Sequence, residues 1–355
     1  MKIEKNLLSD AERKQKPQQV EDLSFGSVFT DHMLTMTYSG GKWHSPRITP
    51  YSLLELDPAS LVLHYGQGIF EGMKAYRRGN DVFLFRPTQN ISRFNRSASR
   101  MVMPKMDETF MLEAIEELIC IERDWIPSKS GTSLYIRPTM IATERKLGVK
   151  PSDEYIFFII LSPVGPYFKE GFKPIRIMIA ESYARAAPGG VGAAKTIGNY
   201  AASLKEEKRA KESGYSQVLW LDACDNKYLE EVGTMNVFVV FEDEIATPEL
   251  GGTILPGITR DSVITLLRNW DMDVVERKIS VDEVLAGVQD GHLTEMFGCG
   301  TAAIIAPIGV LGYQRKEYPI SNGRIGNVTK RLYDELTGIQ SGERKDNYGW
   351  VHSVC

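Results

Sequence analysis

One lysine lies in a stretch of small residues without acidic neighbours, GGVGAAKTIGNYAAS, from Gly189 to Ser203. Lysine side chains do two kinds of chemistry: a permanent ammonium binds phosphate, whereas a neutral amine condenses with an aldehyde. The second use requires burial or nearby positive charge, because both disfavour the charged form of the amine. Lys195 is therefore a candidate for either chemistry, and the alternative is an exposed lysine in a flexible loop.

The same stretch resembles the phosphate-binding loop of nucleotide hydrolases, whose pattern is GxxxxGK[ST]. VLWLD, from Val218 to Asp222, also resembles the strand that ends in a magnesium-binding aspartate. However, Ala194 replaces the glycine that must precede the lysine if the backbone is to wrap around phosphate. Gly198 and Asn199 are expected to interrupt the helix that the pattern requires. A P-loop-like nucleotide-binding protein is thus an alternative weakened by the missing glycine.

An aldehyde cofactor such as pyridoxal 5'-phosphate requires an anion site for its phosphate, a carboxylate at its pyridine nitrogen and a hydroxyl near its ring oxygen. Ile258 and Thr259 stand at a predicted helix start, where free N–H groups and the helix dipole attract phosphate. A glycine-threonine turn at Thr301 offers a second such position, and Arg93 in SRFNRSASR offers a guanidinium. Each of these features is also common as a structural cap or a solvated helix face.

Two charged residues lie in or beside apolar strands. Glu231, in LEEVGTMNVF, is one of two adjacent glutamates, and the alternation of a strand requires one of them to point inward. A buried carboxylate needs a charged partner, which a protonated pyridinium would provide; alternatively, Glu230 and Glu231 only flank a turn. Arg137, in the strand SLYIRPTMIA beside Tyr135, pairs either with a structural acid or with a substrate carboxylate.

The elements that position these residues alternate between strand and helix patterns. Predicted strands cover 29–38, 82–85, 133–141, 155–161 and 175–179, and QVLWLD and MNVFVVF form a predicted hairpin around the polar segment 223–234. Predicted helices cover 107–124, 201–213, 281–288 and 326–337, another begins at Thr259, and a loop is predicted at 298–301. Hairpins and helices mix without steady βαβ alternation, which indicates an α+β fold.

The length of 355 residues predicts two domains. A smaller N-terminal α+β domain is expected at 1–167 and a larger C-terminal cofactor-binding domain at 182–355. The connection between them is expected at 168–181, because SPVGPYFKEGFKP, from 162 to 174, contains three prolines and two glycines.

Composition narrows the classes of partner. The 42 lysines and arginines against 46 acidic residues give a net charge of −4, which argues against nucleic acid and against an anionic membrane surface as partners.

The sequence also predicts where the protein is located. The polar N-terminus lacks a signal peptide's apolar run, and the longest apolar run, Tyr155–Leu161, is too short to span a bilayer, so we expect a cytoplasmic protein. The cysteines form no CxxC pair and no zinc pattern, which predicts free thiols and no metal site at Cys120, Cys224, Cys299 and Cys355.

With these residues assembled, the chain resembles the branched-chain amino acid aminotransferases, which are pyridoxal-phosphate enzymes of fold type IV. The motifs that carry the resemblance run in order from residue 25 to about residue 310: FGSVFTDHMLTM, LHYGQGIFEGMKAYR, FRPTQNISRF, YIRPT, SPVGPYF, GGVGAAKTIGNYAAS, LEEVGTMNVF, ILPGITRDS and MFGCGTAA. The resemblance implies a two-domain α+β fold like that of D-amino acid aminotransferase, with the cofactor in the interdomain cleft, and a homodimer.

The resemblance also implies a role for each candidate residue. Lys195 would bond to the aldehyde of the cofactor and move the proton, Glu231 would hold the pyridine nitrogen, and Tyr200 would contact the ring oxygen. The residues implied at the phosphate are Arg93, Ile258, Thr259 and Thr301. Those implied at the substrate are Phe25, Tyr65, Phe70, Tyr135, Tyr167 and Thr234 around the side chain, Thr301 and Ala302 at the α-carboxylate, and Arg137 at the distal carboxylate of glutamate.

The implied reaction is a reversible, ping-pong transfer of the amino group from L-leucine, L-isoleucine or L-valine to 2-oxoglutarate, which gives the branched 2-oxo acid and L-glutamate. D-amino acid aminotransferase and aminodeoxychorismate lyase, which share the fold, are the alternatives. The chain departs from its animal relatives at Ala303–Ala306, where they carry a redox-active CxxC. Thiol regulation of that kind is therefore not expected, and we interpret Cys299 as a packed thiol.

Overall fold

The chain folds as two units in a computed structural model that describes residues 1–17, 19–20, 23–168 and 171–354. Unit 1 comprises Met1–Tyr167, Ala194–Ile197 and Gly338–Cys355, and unit 2 comprises Phe168–Ala193 and Gly198–Thr337. The expected C-terminal domain includes 338–355, whereas this segment belongs to unit 1. The expected connection, 168–181, includes residues 169 and 170, which lie outside the described residues, and 175–179, which form a strand of unit 2.

The strands are β1 Glu4–Lys5, β2 His32–Ser39, β3 Lys42–Pro50, β4 Gly68–Phe70, β5 Met73–Arg78, β6 Asp81–Phe85, β7 Ser133–Ala142, β8 Tyr155–Val164, β9 Ile175–Ile179, β10 Gln217–Leu221, β11 Leu229–Val232, β12 Met235–Phe241, β13 Ile245–Thr247, β14 Val274–Glu276, β15 Leu293–Gly300, β16 Ile304–Tyr313, β17 Lys316–Pro319 and β18 Val351–Ser353. The α-helices are α1 Leu61–Tyr65, α2 Pro87–Arg100, α3 Glu108–Ile121, α4 Ile197–Glu212, α5 Ile258–Asn269, α6 Val281–Asp290 and α7 Asn327–Gln340. Within the described ranges, none of these helices combines the length and the apolar character needed to cross a bilayer.

Unit 1 is built on one sheet with the strand order β1-β3-β2-β8-β7-β5-β6-β18, and β4 also pairs with β7. The predicted strands at 29–38, 82–85, 133–141 and 155–161 are confirmed as β2, β6, β7 and β8, and β8 lies in the interior of the sheet, as its apolar run indicates. Helix α3 begins where the Asp107 side chain accepts a hydrogen bond from the N–H of Phe110 at 2.7 Å. The apolar faces of α2 and α3 join the core of the sheet through Phe94, Ile115 and Leu118.

Unit 2 contains a second sheet with the strand order β11-β10-β9-β16-β15-β12-β13-β14. An additional pairing of β11 with β12 closes six of these strands into a ring, and β17 extends β16. Parallel and antiparallel pairs mix with helices in both sheets, so the α+β fold class is confirmed.

The predicted hairpin of QVLWLD with MNVFVVF is wrong, because a strand lies between the two segments. The Asp222 carboxylate accepts four backbone hydrogen bonds, from Cys224, Asp225, Lys227 and Tyr228, at 2.7 to 3.2 Å. These bonds close a tight turn, and the chain then returns as β11, which pairs with β10 on one side and β12 on the other. Strand β11 carries Glu231, so the turn helps to place a candidate site residue.

Two further predictions at glycines are wrong. Gly198 and Asn199 do not interrupt a helix, because α4 begins at Ile197 and includes both residues. The loop predicted at 298–301 is largely strand, since β15 continues to Gly300 in register with β16. Glycine alone lowers helix and strand stability by only about 1 kcal/mol, which tertiary packing readily outweighs.

Asp222→Ala is expected to lower the thermal melting temperature at pH 7, because four backbone N–H groups lose their acceptor, at a cost of about 1–3 kcal/mol. Burial alone would raise the pKa of the Asp222 carboxyl, but these hydrogen bonds hold the pKa below its usual range. The stabilisation is therefore complete above the pKa of the unfolded chain and is lost as the pH falls through the folded-state pKa. Melting curves of the variant and the wild type should converge in acid.

The control is Asp225→Ala, because Asp225 is an exposed aspartate of the same turn. Its melting temperature should stay within the small range typical of surface substitutions. Equal melting temperatures for Asp222→Ala and Asp225→Ala at pH 7 would contradict the role given to Asp222.

Candidate active site

Lys195 lies in Ala194–Ile197, a short segment that belongs to unit 1. Its carbonyl oxygen accepts a hydrogen bond from the N–H of Phe70 at 3.1 Å, and its N–H donates to Ser97 Oγ at 2.9 Å. The next residue, Thr196, forms a β-bridge with β4 and donates its hydroxyl to a β4 carbonyl at 2.7 Å. The backbone of Lys195 is thus fixed between β4 and α2, which excludes a lysine in an unstructured loop.

The Phe70 ring contacts two cationic side chains. Lys195 Nζ lies 4.7 Å from the ring centroid, and the guanidinium carbon of Arg137 lies 4.6 Å from the same centroid. Such contacts favour a cation electrostatically while keeping water from the ring face. Among the residues that the structure describes, no ion pair joins Arg137 to an acidic side chain; its described contacts are with Phe70 and Tyr135.

Two aromatic rings, Phe70 and Tyr135, contact the Arg137 guanidinium, and further aromatic residues pack against Tyr135. Arg137 Nη2 donates to Tyr135 Oη at 3.1 Å, and the Tyr135 ring packs edge-on against Phe25 at 4.8 Å. Phe25 in turn contacts Tyr167 at 5.5 Å. Gly72 must be glycine here, because a Cβ would lie 1.9 Å from Tyr135 Oη. Unit 1 therefore brings the Arg137 guanidinium together with four of the aromatic residues that the sequence predicts at the substrate: Phe25, Phe70, Tyr135 and Tyr167.

Arg93 lies on a buried polar face of α2. Asn90, Arg93 and Ser97 follow one another at helical spacing, and all three are buried. Arg93 forms a two-pronged ion pair with Glu71, with Nε to Oε1 at 2.7 Å and Nη2 to Oε2 at 2.9 Å. The sequence prediction includes Arg93 but misses Asn90, Ser97 and Glu71. The signal for the helix residues is a polar stripe within an otherwise core-facing helix.

Glu231 lies in unit 2 and is buried together with Glu230, whereas the sequence predicts that only one of the two points inward. Burial raises the pKa of the Glu230 carboxyl. Glu231 Oε2 pairs with Arg185 Nε at 2.7 Å, and Oε1 accepts hydrogen bonds from Leu255 N–H at 3.1 Å and Asn236 Nδ2 at 3.4 Å. Sequence reasoning misses Arg185, although an arginine among alanines in YARAAPGG carries the same signal as Lys195.

Strand register places Glu231 near the predicted phosphate-binding helix. Glu231 pairs with Asn236 on β12, which pairs in turn with Cys299 on β15. The Asn236 amide reaches the loop before α5, where a Cβ on Gly257 would lie 2.0 Å from Asn236 Oδ1. Helix α5 begins at Ile258, one residue earlier than predicted, and both Ile258 and Thr259 are buried in its first turn.

The other predicted residues take varied positions. In unit 2, Thr301 and Ala302 form a half-buried turn after β15, and the Thr234 carbonyl lies 3.8 Å from where a Cβ on Gly300 would be. Tyr200 is half-buried in the first turn of α4. In unit 1, Tyr65 donates its hydroxyl to the carbonyl of Leu147 at 2.5 Å, and no described contact joins Tyr65 to the aromatic cluster.

The cysteines are thiols of two kinds. Cys120 and Cys224 are exposed, whereas Cys299 is free and buried on β15. Burial raises the pKa of the Cys299 thiol to about 12, so it is protonated and unreactive at neutral pH. The interpretation of Cys299 as a packed thiol is confirmed, while Cys355 lies outside the described residues.

Comparison with known proteins identifies relatives along nearly the whole chain. Residues 68–310 match the family model for amino-transferase class IV. Two Bacillus subtilis (strain 168) proteins are similar: branched-chain-amino-acid aminotransferase 2 is 52% identical over 355 residues, covering 99% of this chain and 97% of that protein. Branched-chain-amino-acid transaminase 1 is 53% identical over 344 residues, covering 96% of each chain.

Solved structures agree with this result. The Escherichia coli branched-chain amino acid aminotransferase matches with a TM-score of 0.77 at 29% identity, covering 92% of this chain and 99% of that chain. A T.th. branched-chain amino acid aminotransferase with pyridoxamine 5'-phosphate matches with a TM-score of 0.75 at 27% identity, covering 90% and 98%. The expected fold type IV is thereby confirmed. This chain belongs to the amino-transferase class IV family, among the branched-chain-amino-acid aminotransferases.

Proposed function

We propose that this chain transfers the amino group of L-leucine, L-isoleucine or L-valine reversibly to 2-oxoglutarate, with pyridoxal 5'-phosphate as its cofactor. The observation that supports this most directly is the Phe70 ring, which contacts Lys195 Nζ at 4.7 Å and the Arg137 guanidinium at 4.6 Å. One unit thus holds a candidate reactive amine, an apolar surface and a group that binds carboxylates. Relatives about 50% identical over nearly their full length are named branched-chain-amino-acid aminotransferase or transaminase, which supports the amino-donor part of this proposal.

The residues present fit pyridoxal phosphate, which supplies a ring that stabilises negative charge at the Cα of a bound amino acid. Unit 1 supplies the Lys195 amine for the aldehyde and the buried Arg93 guanidinium for the phosphate. Unit 2 supplies backbone N–H groups at the start of α5 and the buried Glu231 carboxylate for the pyridine nitrogen. The remaining proposed ligands are Ile258, Thr259 and Thr301 at the phosphate and Tyr200 at the ring oxygen.

Three residues have distinct roles in the proposed reaction: Lys195, Glu231 and Phe70. Lys195 Nζ holds the proton that leaves the substrate Cα, and the fixed Lys195 backbone limits where that proton can be delivered. The Glu231 carboxylate keeps a proton on the ring nitrogen by charge, while its bonds from Leu255 and Asn236 hold it in place. Phe70 covers the amine and excludes water from it.

The aromatic cluster of Phe25, Phe70, Tyr135 and Tyr167 explains how one site accepts both apolar and acidic substrates. Its aromatic walls favour leucine-like side chains by excluding water. The Arg137 guanidinium and the Tyr135 hydroxyl to which it donates offer partners to the distal carboxylate of glutamate. Backbone groups of Thr301 and Ala302 are the proposed partners of the α-carboxylate. The names of the relatives favour a branched-chain amino acid aminotransferase over the three alternatives, which are D-amino acid aminotransferase, aminodeoxychorismate lyase and a nucleotide-binding protein.

An exposed apolar patch supports a homodimer. Leu63, Tyr65, Val102, Leu147 and Val149 are exposed, with Val149 at 84% and Leu147 at 68%. Hydrogen bonds join the segments that carry them: Tyr65 donates to the carbonyl of Leu147, the backbones of 59–61 and 144–146 bond to each other, and Gln67 Nε2 donates to the carbonyl of Val102 at 3.5 Å. A contiguous apolar patch on a soluble unit usually marks a contact surface. We propose that a second copy of the chain covers it.

We also propose a cytoplasmic location. Cys224 is an exposed free thiol, and Cys299 is a buried free thiol. Free exposed thiols suit a reducing compartment.

Lys195→Ala is expected to lower the rate of transamination between L-leucine and 2-oxoglutarate by roughly 10³-fold or more, because the group that moves the proton is lost. The measurement is a steady-state assay with L-leucine, L-isoleucine and L-valine, with D-alanine and aminodeoxychorismate as competing substrates. Borohydride treatment of the yellow wild type should fix the cofactor to the peptide that contains Lys195. The control is the exposed Lys205→Ala, and transamination that survives in Lys195→Ala would reject the assignment.

Arg137→Met is expected to separate the two substrate classes. KM for 2-oxoglutarate should rise by roughly 10- to 100-fold, in line with the loss of a charged hydrogen-bond partner. KM for L-leucine should change by less than about threefold, because the methionine preserves an apolar wall. Initial rates measured while each substrate is varied in turn provide the test. An equal rise for both substrates would show that Arg137 has only a structural role.

Leu147→Asp combined with Val149→Asp is expected to convert a dimer into a monomer, because charge on a buried apolar contact has no partner. Light scattering after size-exclusion chromatography measures the mass directly, against 39.9 kDa for one chain. Leu250→Asp is the control, because Leu250 is an exposed leucine of unit 2. A wild-type mass of one chain, or a double variant that stays dimeric, would contradict the proposed contact.

A further inference from the structure

Glu71 is a fully buried carboxylate in the link between β4 and β5. Oε1 accepts from Arg93 Nε at 2.7 Å, while Oε2 accepts from Arg93 Nη2 at 2.9 Å, Asn90 Nδ2 at 2.9 Å and the N–H of Gly72 at 3.1 Å. Four donors thus converge on two oxygens, which is close to the full capacity of a carboxylate. Such a complete set of hydrogen bonds fixes the positions of both the Glu71 carboxylate and the Arg93 guanidinium.

Two cations lie in the field of this carboxylate. Burial alone would raise the pKa of the Glu71 carboxyl, but the Arg93 guanidinium, and beyond it the Lys195 ammonium, hold that pKa below its usual range. Glu71 is therefore ionised at neutral pH. A buried negative charge stands next to the arginine that is proposed to bind a doubly negative phosphate, which is unfavourable for phosphate binding unless the carboxylate serves another purpose.

We propose that Glu71 is the resident counter-ion of the phosphate site: it orients Arg93 for the phosphate and neutralises Arg93 when the phosphate is absent. This inference rests on the proposed function, because it takes Arg93 as a phosphate ligand. Glu71 accepts from two of the five N–H donors of the guanidinium and so fixes the plane in which Arg93 is held. Glu71 is thus a positioning residue for Arg93.

The negative charge of Glu71 stabilises the folded chain but weakens the binding of phosphate. Without Glu71, the buried Arg93 guanidinium would lose the carboxylate that balances its charge, which destabilises the folded chain. With Glu71 in place, part of the attraction between Arg93 and phosphate is cancelled. Replacing Glu71 with glutamine keeps an acceptor for Arg93 but removes the negative charge. The protein should then be less stable without phosphate and should bind phosphate more tightly.

The experiment uses the full chain freed of cofactor, with inorganic phosphate as the probe. Thermal melting and isothermal titration calorimetry are measured for the wild type and for Glu71→Gln. The variant should melt at a lower temperature without phosphate, gain more in melting temperature when phosphate is added, and bind phosphate about 3- to 10-fold more tightly. Phosphate affinity that is equal to or weaker than that of the wild type would overturn the proposal.

Glu122→Gln is the matched control. Glu122 is a second buried glutamate of unit 1, and it pairs with the His32 ring and the N–H of Asp31 instead of with a candidate site residue. This variant should also melt at a lower temperature, yet its phosphate affinity should equal that of the wild type. If Glu122→Gln and Glu71→Gln changed phosphate affinity alike, the effect would be one of general stability and the proposal would fail.

A double variant, Glu71→Gln with Arg93→Gln, keeps the proposal testable if Glu71→Gln does not fold. Removing both charges leaves no unpaired ion, so the double variant should fold. It should bind phosphate at least about 10-fold more weakly than the wild type, because the guanidinium is gone, but more tightly than Arg93→Gln alone, in which the negative charge of Glu71 remains. Equal phosphate affinity for the double variant and Arg93→Gln would overturn the proposal.

The measurements of melting temperature and phosphate affinity do not depend on catalytic activity. Absent transaminase activity would reject the proposed function and leave the phosphate result standing, whereas unchanged phosphate affinity in an active enzyme would reject only the role of Glu71.

Discussion

The hydrogen bonds that fix the Lys195 backbone are the constraint on which the rest of the site depends. A lysine amine sits at the end of four rotatable bonds, so its position is defined only if the Cα is held and the stem is packed. Here Phe70 and Ser97 hold the backbone, and the Phe70 ring also packs against the stem's end. Because β4 and α2 carry these partners, they set the positions of the amine and of Arg93 together.

Each unit buries a glutamate paired with an arginine. Glu71 pairs with Arg93 in unit 1, and Glu231 pairs with Arg185 in unit 2. Buried ion pairs add little to stability, because desolvation of both charges offsets their attraction. Apolar residues of the same volume would serve the core as well. The two pairs are therefore better explained by the charges of a bound ligand than by the stability of the fold.

Local patterns and the order of the motifs predict most of the strands and single out candidate site residues. The strand β7 follows from its apolar residues, and Lys195 and Glu231 stand out because their neighbours are small or apolar. Glu71 does not stand out in this way, since what identifies it is a partner on another element, whereas Arg185 has the same small neighbours as Lys195 and could have been found from them. Strand β11 was missed for a related reason: four hydrogen bonds to Asp222, not strand propensity, turn the chain back.

The last strand of unit 1 has a consequence for how the protein forms in the cell. Strand β18, from Val351 to Ser353, pairs with β6, and Trp350 packs against Phe85 beside it. A ribosome releases β6 long before it releases these residues. Until translation reaches them, the nascent sheet presents an unpaired edge to other chains. The period in which this edge can aggregate therefore spans most of the synthesis of unit 2.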